Sequence, residues 1–192
     1  MANIMIVVGH AQRDTFCEAL GHAYQRGAQS AGHAAALFVL SRMNFDPILR
    51  GGYRELQPLE PELEAARAAL WQCDHVVIIF PLWLGDMPAI FKGFLERIMQ
   101  PALLERQARG GGGRWRIFEK KSARIVITMG MPGFIYRWWF GAHGLKLLKR
   151  FILHSIGIKP VRTTIYGGIA KTSAERRQRW LAEIESLGRA AG

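Results

Sequence analysis

Short runs of β-branched residues alternate with segments of helical periodicity along this 192-residue chain. No other feature constrains the fold as much, because that alternation is the pattern of parallel βαβ units. The runs fall at residues 4–8, 76–80, 125–128 and 161–166, with a weaker one at 36–40 where a second strand is due. Five helices are placed between and after them by their apolar faces: Phe16, Leu20, Ala23 and Tyr24; Leu63, Ala66 and Leu70; Ile90, Phe91, Phe94, Leu95 and Ile98; Leu145, Leu148 and Ile152; Trp180, Leu181, Ile184 and Leu187. Pro58 and Pro61 precede the second helix, Pro88 opens the third, and Thr172 or Ser173 caps the fifth. Strict alternation predicts an α/β protein with three layers, a five-stranded parallel sheet in the order 2-1-3-4-5, and one domain over residues 1–192.

Two interruptions break the pattern. The glycines at 110–113, followed by Arg114, Trp115 and Arg116, are too flexible for an element interior and predict an exposed excursion before the fourth strand. Residues 43–49, Met-Asn-Phe-Asp-Pro-Ile-Leu, predict a structured loop closing one sheet edge, open also to a role in covering a ligand.

Charge is unevenly distributed. Residues 1–100 hold 8 basic and 10 acidic side chains, whereas residues 101–192 hold 18 basic and 5 acidic ones, so the halves carry −2 and +13. A basic half meets an acidic partner or presents a solvated surface. Nucleic acid is disfavoured, because the cations are dispersed over loops, a strand edge and a terminal helix without a recognition-helix or RNA-binding aromatic signature. No apolar run approaches the roughly 20 residues needed to cross a bilayer. The first residues read as a strand rather than a signal peptide. Cys17 and Cys73 stand far apart without CxxC or Cys/His spacing, which predicts neither a disulfide framework nor a zinc site and fits a reducing, cytoplasmic location. Cys73 reads as a small buried hydrophobe.

Open parallel sheets bind ligands at the carboxyl ends of their strands, beside the point where strand order reverses. Three loops are therefore singled out. Residues 9–16 after the first strand offer a hydroxyl, a guanidinium and backbone N–H groups at a helix start, a phosphate-binding arrangement. Residues 81–88 after the third strand place Trp83 in a turn that propensity alone would make polar, which a flat aromatic ligand would explain, as would a core role for Trp83. Residues 128–136 after the fourth strand bring glycines and Tyr136. All three are expected to converge on one cleft. The chain contains no G-x-S-x-G elbow, no G-x-x-x-x-G-K-[ST] phosphate loop and no GxGxxG after the first strand. Scattered histidines argue against a metal. Lys92, Glu96 and Arg97 share a helical face and read as an ion-pair set.

Four blocks in order carry a resemblance: G-H-x5-F entering the first helix, M-N-F-D-P-I after the second strand, F-P-L-W-L-G-D-M-P-A-I-F-K-G-F-L-E-R-I after the third, and T-M-G-M-P-G-F-I-Y-R-W-W-F-G-A-H-G after the fourth. Together they resemble the NAD(P)H:quinone oxidoreductases of the flavodoxin-like fold over nearly the whole chain. The resemblance implies a flavin, FAD ahead of FMN, with NAD(P)H as co-substrate, a homodimer, and two-electron ping-pong hydride transfer to quinones or related acceptors. It also implies residue roles. His10, Thr15 and Phe16 match the loop holding the flavin phosphate and ribityl side, with Cys17 where some relatives have Asn. Pro81, Leu82, Trp83 and Leu84 match the loop against the isoalloxazine, and Thr128, Met129, Gly130 and Met131 the loop at its pyrimidine edge. Tyr136 and His143 match a Tyr/His pair credited with proton relay, here one residue further apart. Both have a structural reading as well, and His10 one as a helix-start hydrogen-bonder. An alternative from the same broad family is an ancillary flavoprotein subunit of a potassium efflux system.

Trp138, Trp139 and Phe140 exceed the aromatic surface that one small domain easily hides, which agrees with a homodimer. The same residues beside Arg137, Lys146, Lys149, Arg150 and Phe151 also predict peripheral contact with an anionic membrane.

Overall fold

The computed structural model describes residues 1–101 and 117–191. Five parallel strands form one sheet in the order β2-β1-β3-β4-β5. They are β1 (Asn3–Val8), β2 (Ala34–Val39), β3 (His75–Pro81), β4 (Ser122–Met129) and β5 (Val161–Gly167). Every residue of β3 is buried, as is all of β4 after Ser122, which is why their sequences are continuous apolar runs rather than alternating ones. The weaker second strand begins two residues earlier than its β-branched content indicates, and Leu40 leaves it for a 3₁₀ turn over Leu40–Arg42.

One face of the sheet packs on α1 (Phe16–Ser30) and the C-terminal helix, called α6 (Ala174–Arg189). The other face packs on α2 (Pro61–Gln72), α3 (Ala89–Ile98) and the helical segment after β4. Local chemistry sets the helix starts. Thr15 caps α1 by accepting from Glu18 N–H, and Glu18 reaches back past the cap to accept from Asp14 N–H at 2.8 Å, a variant of the capping box displaced by one residue. Pro61 opens α2, Pro88 precedes α3, and Ser173 rather than Thr172 caps α6.

The segment after β4 departs from the single helix expected through Leu145, Leu148 and Ile152. A short α4 (Gly133–Trp138) comes first, then α5 (His143–Lys146), which runs into a π-helical turn over Leu147–Leu153. Tyr136 is therefore a helical residue. The expected excursion at residues 110–116 lies outside the described residues.

The 43–60 segment has no regular structure, and a buried cation holds it down together with Gln100, which bonds both backbone groups of Gln57. Arg97 on α3 is completely buried, donates to the Asp46 and Pro58 carbonyls, and pairs with Glu60 at 2.7 Å. The expected ion-pair set on α3 therefore splits: Lys92 pairs with Glu96 on the surface, while Arg97 turns inward to satisfy carbonyls that no ladder reaches.

Candidate functional site

The loops after β1, β3 and β4 meet at the carboxyl end of the sheet. His10 is 8% exposed, its Nδ1 accepts from Gln12 N–H at 2.9 Å, and its ring stands edge-on to Trp83 with centroids 5.1 Å apart. That hydrogen bond leaves the proton of a neutral ring on Nε2 as a free donor. Burial lowers the His10 pKa and keeps the ring neutral. The N–H groups of Phe16 and Cys17 in the first turn of α1 have no intrahelical acceptor, as at any helix start. Cys17 is buried against Thr128, Sγ to Oγ1 3.2 Å, so the start of α1 is fixed to the end of β4. Burial pushes its thiol up to about 12, and Cys17 is a packing group rather than a nucleophile.

Leu82 N–H donates to the Thr128 carbonyl at 2.8 Å, tying the loop after β3 to β4. Pro81, Thr128 and Met129 are buried; Trp83, Leu84, Gly130 and Met131 are exposed. Trp83, at 42% exposure, is not a core anchor, and its ring is presented at the site with His10 behind it.

Tyr136 is buried, and its hydroxyl accepts from Leu145 N–H at 3.0 Å. Its own proton remains free to donate. Burial raises its pKa, the Leu145 N–H opposes, and the Asp86 carboxylate adds to the rise, so the phenol stays protonated. His143 is exposed at the first position of α5, with its Nε2 over Gly141. Among the described residues no hydrogen bond joins Tyr136 to His143.

Two participants escaped the sequence reading. Asp86 closes the turn after Trp83 and stands beside Tyr136. Gly144 permits the close approach of two loops, since a Cβ there would lie 2.5 Å from the Gly85 carbonyl and 2.9 Å from Asp86 Oδ1. A T-x-x-E motif at residues 15–18 was visible in principle, whereas nothing local marks Gly144.

The site suits an elongated anionic ligand with a flat ring system. Neutral donors at His10, the helix start and Thr15 fit a phosphate, while Trp83 and the open backbone around Gly130 fit a ring. No Cys/His/Asp/Glu group among the described residues has a metal-binding arrangement. A separate cavity of about 440 Å³ lies at the β2 edge, lined in part by Glu18, Phe38, Arg42 and Glu62; its two carboxylates do not favour an anion.

These features define an α/β protein with a ligand cleft at its topological switch point. The chain belongs to the family described as having the flavodoxin-like fold, whose model matches residues 2–187, and the relatives it resembles include proteins named as NAD(P)H:quinone oxidoreductases. It is similar to the solved structure of Smu.1420 from Streptococcus mutans, 30% identical with a TM-score of 0.78 over 97% of this chain and 98% of that one. It is similar in fold to the NAD(P)H:quinone oxidoreductase of Methanothermobacter marburgensis, 24% identical with a TM-score of 0.76 over 97% and 94%. Among curated proteins it is 24% identical to NAD(P)H dehydrogenase [quinone] 1 of Rattus norvegicus over 95% of this chain and 76% of that one.

Proposed function

We propose that this protein is a flavin-dependent NAD(P)H:quinone oxidoreductase of the cytoplasm. The observation that carries the reading is the convergence of three strand-end loops, in which His10 meets Trp83 and both Cys17 and Leu82 meet Thr128. A bound flavin would take two electrons from NAD(P)H and pass them to a quinone. The chain's own residues bind and orient it. His10 Nε2–H, Thr15 and the first-turn N–H groups of Phe16 and Cys17 receive the phosphate. The loop of Pro81, Leu82, Trp83 and Leu84 lies against the ring with its backbone and the Trp83 side chain, and leaves the Leu84 side chain exposed. Thr128 and Met129 end β4 beneath the pyrimidine side and position Gly130 and Met131, whose N–H groups are donors where negative charge is met, with the Tyr136 hydroxyl adding one more. His143 stands at the solvent side as a source of protons.

FAD is favoured over FMN. Beside the α1 start, Phe16 packs on Trp180 at 6.1 Å, with the Arg176 guanidinium over Trp180 and that of Arg177 over Phe16. Such a surface supports a second aromatic base and diphosphate charge. The names of the relatives favour the enzyme over the ancillary efflux subunit.

A homodimer is the reading for the exposed Phe134, Trp138, Trp139 and Phe140. A second reading has an observation of its own: residues 120–174 hold ten Lys or Arg and no Asp or Glu, which favours an anionic bilayer against this surface.

Boiling the purified protein and separating the released flavin tests the core proposal. A yellow protein that releases FAD and oxidises NAD(P)H with a quinone is expected, and a colourless one that fails to take up added flavin refutes it. In Tyr136→Phe, flavin binding is expected to persist and reduction by NAD(P)H to slow about 10- to 100-fold in stopped flow. Light scattering and vesicle co-sedimentation decide between dimer and bilayer.

A further inference from the structure

The turn that carries the ligand-facing Trp83 has a sequence at odds with its conformation. Trp83 N–H donates to the Asp86 carbonyl at 2.9 Å and Asp86 N–H to the Trp83 carbonyl at 3.0 Å. The two residues between them both have positive φ, +50° at Leu84 and +84° at Gly85. That pair of angles matches a type I′ turn, whose first central position selects Asn, Asp or Gly. Leucine there sets its Cβ against the following carbonyl. Packing gives nothing back, because the Leu84 side chain is fully exposed.

The turn has no freedom to relax. Gly144 seats directly against the Gly85 carbonyl and Asp86, and Asp86 Oδ1 accepts from Met87 N–H at 2.8 Å. A strained backbone is thus held by its surroundings so that one large apolar side chain projects into water beside Trp83, with exposed Met131 on the loop after the neighbouring strand and exposed Phe134 in the first turn of α4. Strain retained without a folding benefit marks a functional position.

We propose that Leu84 is a specificity-determining residue, held by this turn at the mouth of the site as the apolar contact for the hydrocarbon substituent of the electron acceptor. The assignment rests on the oxidoreductase reading above. A nicotinamide nucleotide is polar and anionic beyond its ring and gains little from an isobutyl group, whereas an alkylated quinone buries it on binding.

The experiment compares wild-type holoenzyme with Leu84→Asn and Leu84→Met. The first measurement needs neither flavin nor turnover: Leu84→Asn is expected to raise the thermal midpoint by about 2–4 °C, because Asn tolerates the left-handed region. The second is the ratio of kcat/KM for a 1,4-naphthoquinone bearing a long n-alkyl chain to that for its 2-methyl counterpart. That ratio is expected to fall about tenfold in Leu84→Asn and to stay near wild type in Leu84→Met. A midpoint that does not rise overturns the strained-turn device, and an unchanged ratio overturns the acceptor contact. A shift from dimer to monomer in Leu84→Asn by light scattering also overturns the proposal, since Leu84 is then covered by a second copy. A wild type that reduces neither quinone refutes the oxidoreductase reading and the acceptor assignment with it, while reduction of both without discrimination refutes the Leu84 assignment alone.

Discussion

Arg97 and Arg150 carry the same charge in opposite settings. Arg97 has none of its side chain in solvent and is committed to Glu60 and two carbonyls of the 43–60 segment. Arg150 is exposed, within the stretch from 120 to 174 that contains no acidic residue. In the first half other cations are partnered too: Arg42 with Glu18 and Asp14, Arg50 with Asp46, Lys92 with Glu96. The first region spends much of its positive charge on holding loops in place; in the second, Lys121 and Arg124 turn inward to Trp71, Cys73 and Thr164, while Arg137, Lys146, Arg150 and Lys159 face outward. Charge count alone does not separate these uses; the location of the nearest acceptor does.

The sharpest way to break the comparison is to remove the inward cation. Arg97→Met is expected to destabilise the protein by about 3 kcal/mol, the low end for breaking a buried pair, because Glu60 keeps 31% of its side chain in water. Burial pushes the Glu60 carboxyl up, but the Asp46 N–H and the Arg97 guanidinium more than offset it, so its pKa lies below the usual range. Stability from that pair is present above the unfolded carboxylate pKa of about 4.3 and is lost as pH falls through the lower folded value. Urea midpoints at neutral pH and in mild acid measure both effects. An Arg97→Met midpoint equal to wild type would show the 43–60 segment to be held by other contacts.

A buried imidazole makes the same point through a different pH window. His75 at the start of β3 bonds Ser122 Oγ at 2.7 Å, stacks on Tyr24 and is 3% exposed. Burial first, then Arg124 and Arg162, lowers its pKa from 6.5 to about 4. Above pH 6.5 folded and unfolded rings are both neutral, and the contribution is full. As pH falls from 6.5 toward 4 the unfolded state binds a proton that the native state refuses, so stability is lost, by on the order of 2–3 kcal/mol. His75→Gln is expected to flatten the urea midpoint over that window; an unchanged slope would mean that the ring is protonated in the fold.

The contrast between regions also explains what was legible in the sequence. Strands β1, β3 and β4 were readable because burial on both faces writes continuous apolar runs, the edge strand β5 because Val161, Thr163, Thr164 and Ile165 are β-branched, and strand order followed from the alternation. The three site loops were readable because topology fixes where they lie. Arg97 was misread because helical spacing reports neighbours three and four residues away, while its partners Glu60 and Asp46 are 37 and 51 residues distant. Helix α4 was missed because Gly133 to Trp138 buries only Tyr136 and so has no apolar stripe to display. Asp86 and Gly144 act through a backbone approach between two loops, which no local pattern encodes.

The outward cations are expected to matter for association rather than for folding. Replacing Lys146, Lys149 and Arg150 together by Gln should move the urea midpoint by no more than about 0.5 kcal/mol, as for surface changes generally. Co-sedimentation with anionic vesicles at low salt should weaken, by about 1 kcal/mol per cation removed near the membrane surface. Equal sedimentation of variant and wild type would assign this face to the second copy instead.

The smallest expected effect provides the control. Lys92 and Glu96 stand one turn apart on α3, the helix that carries Arg97, with side chains 46% and 38% exposed. Their attraction acts through water, is screened by salt, and costs both long side chains rotamer freedom, so Lys92→Ala should shift the urea midpoint by only about 0.3–0.5 kcal/mol. Alanine's higher helix propensity offsets part even of that. Two cations five residues apart on one helix are then expected to differ several-fold in worth, solely because Arg97 faces stranded carbonyls and Lys92 faces solvent. If Lys92→Ala costs as much as Arg97→Met, α3 is held as a whole by its charge pairs, and the division between inward and outward cations fails on the helix where it is most directly measured.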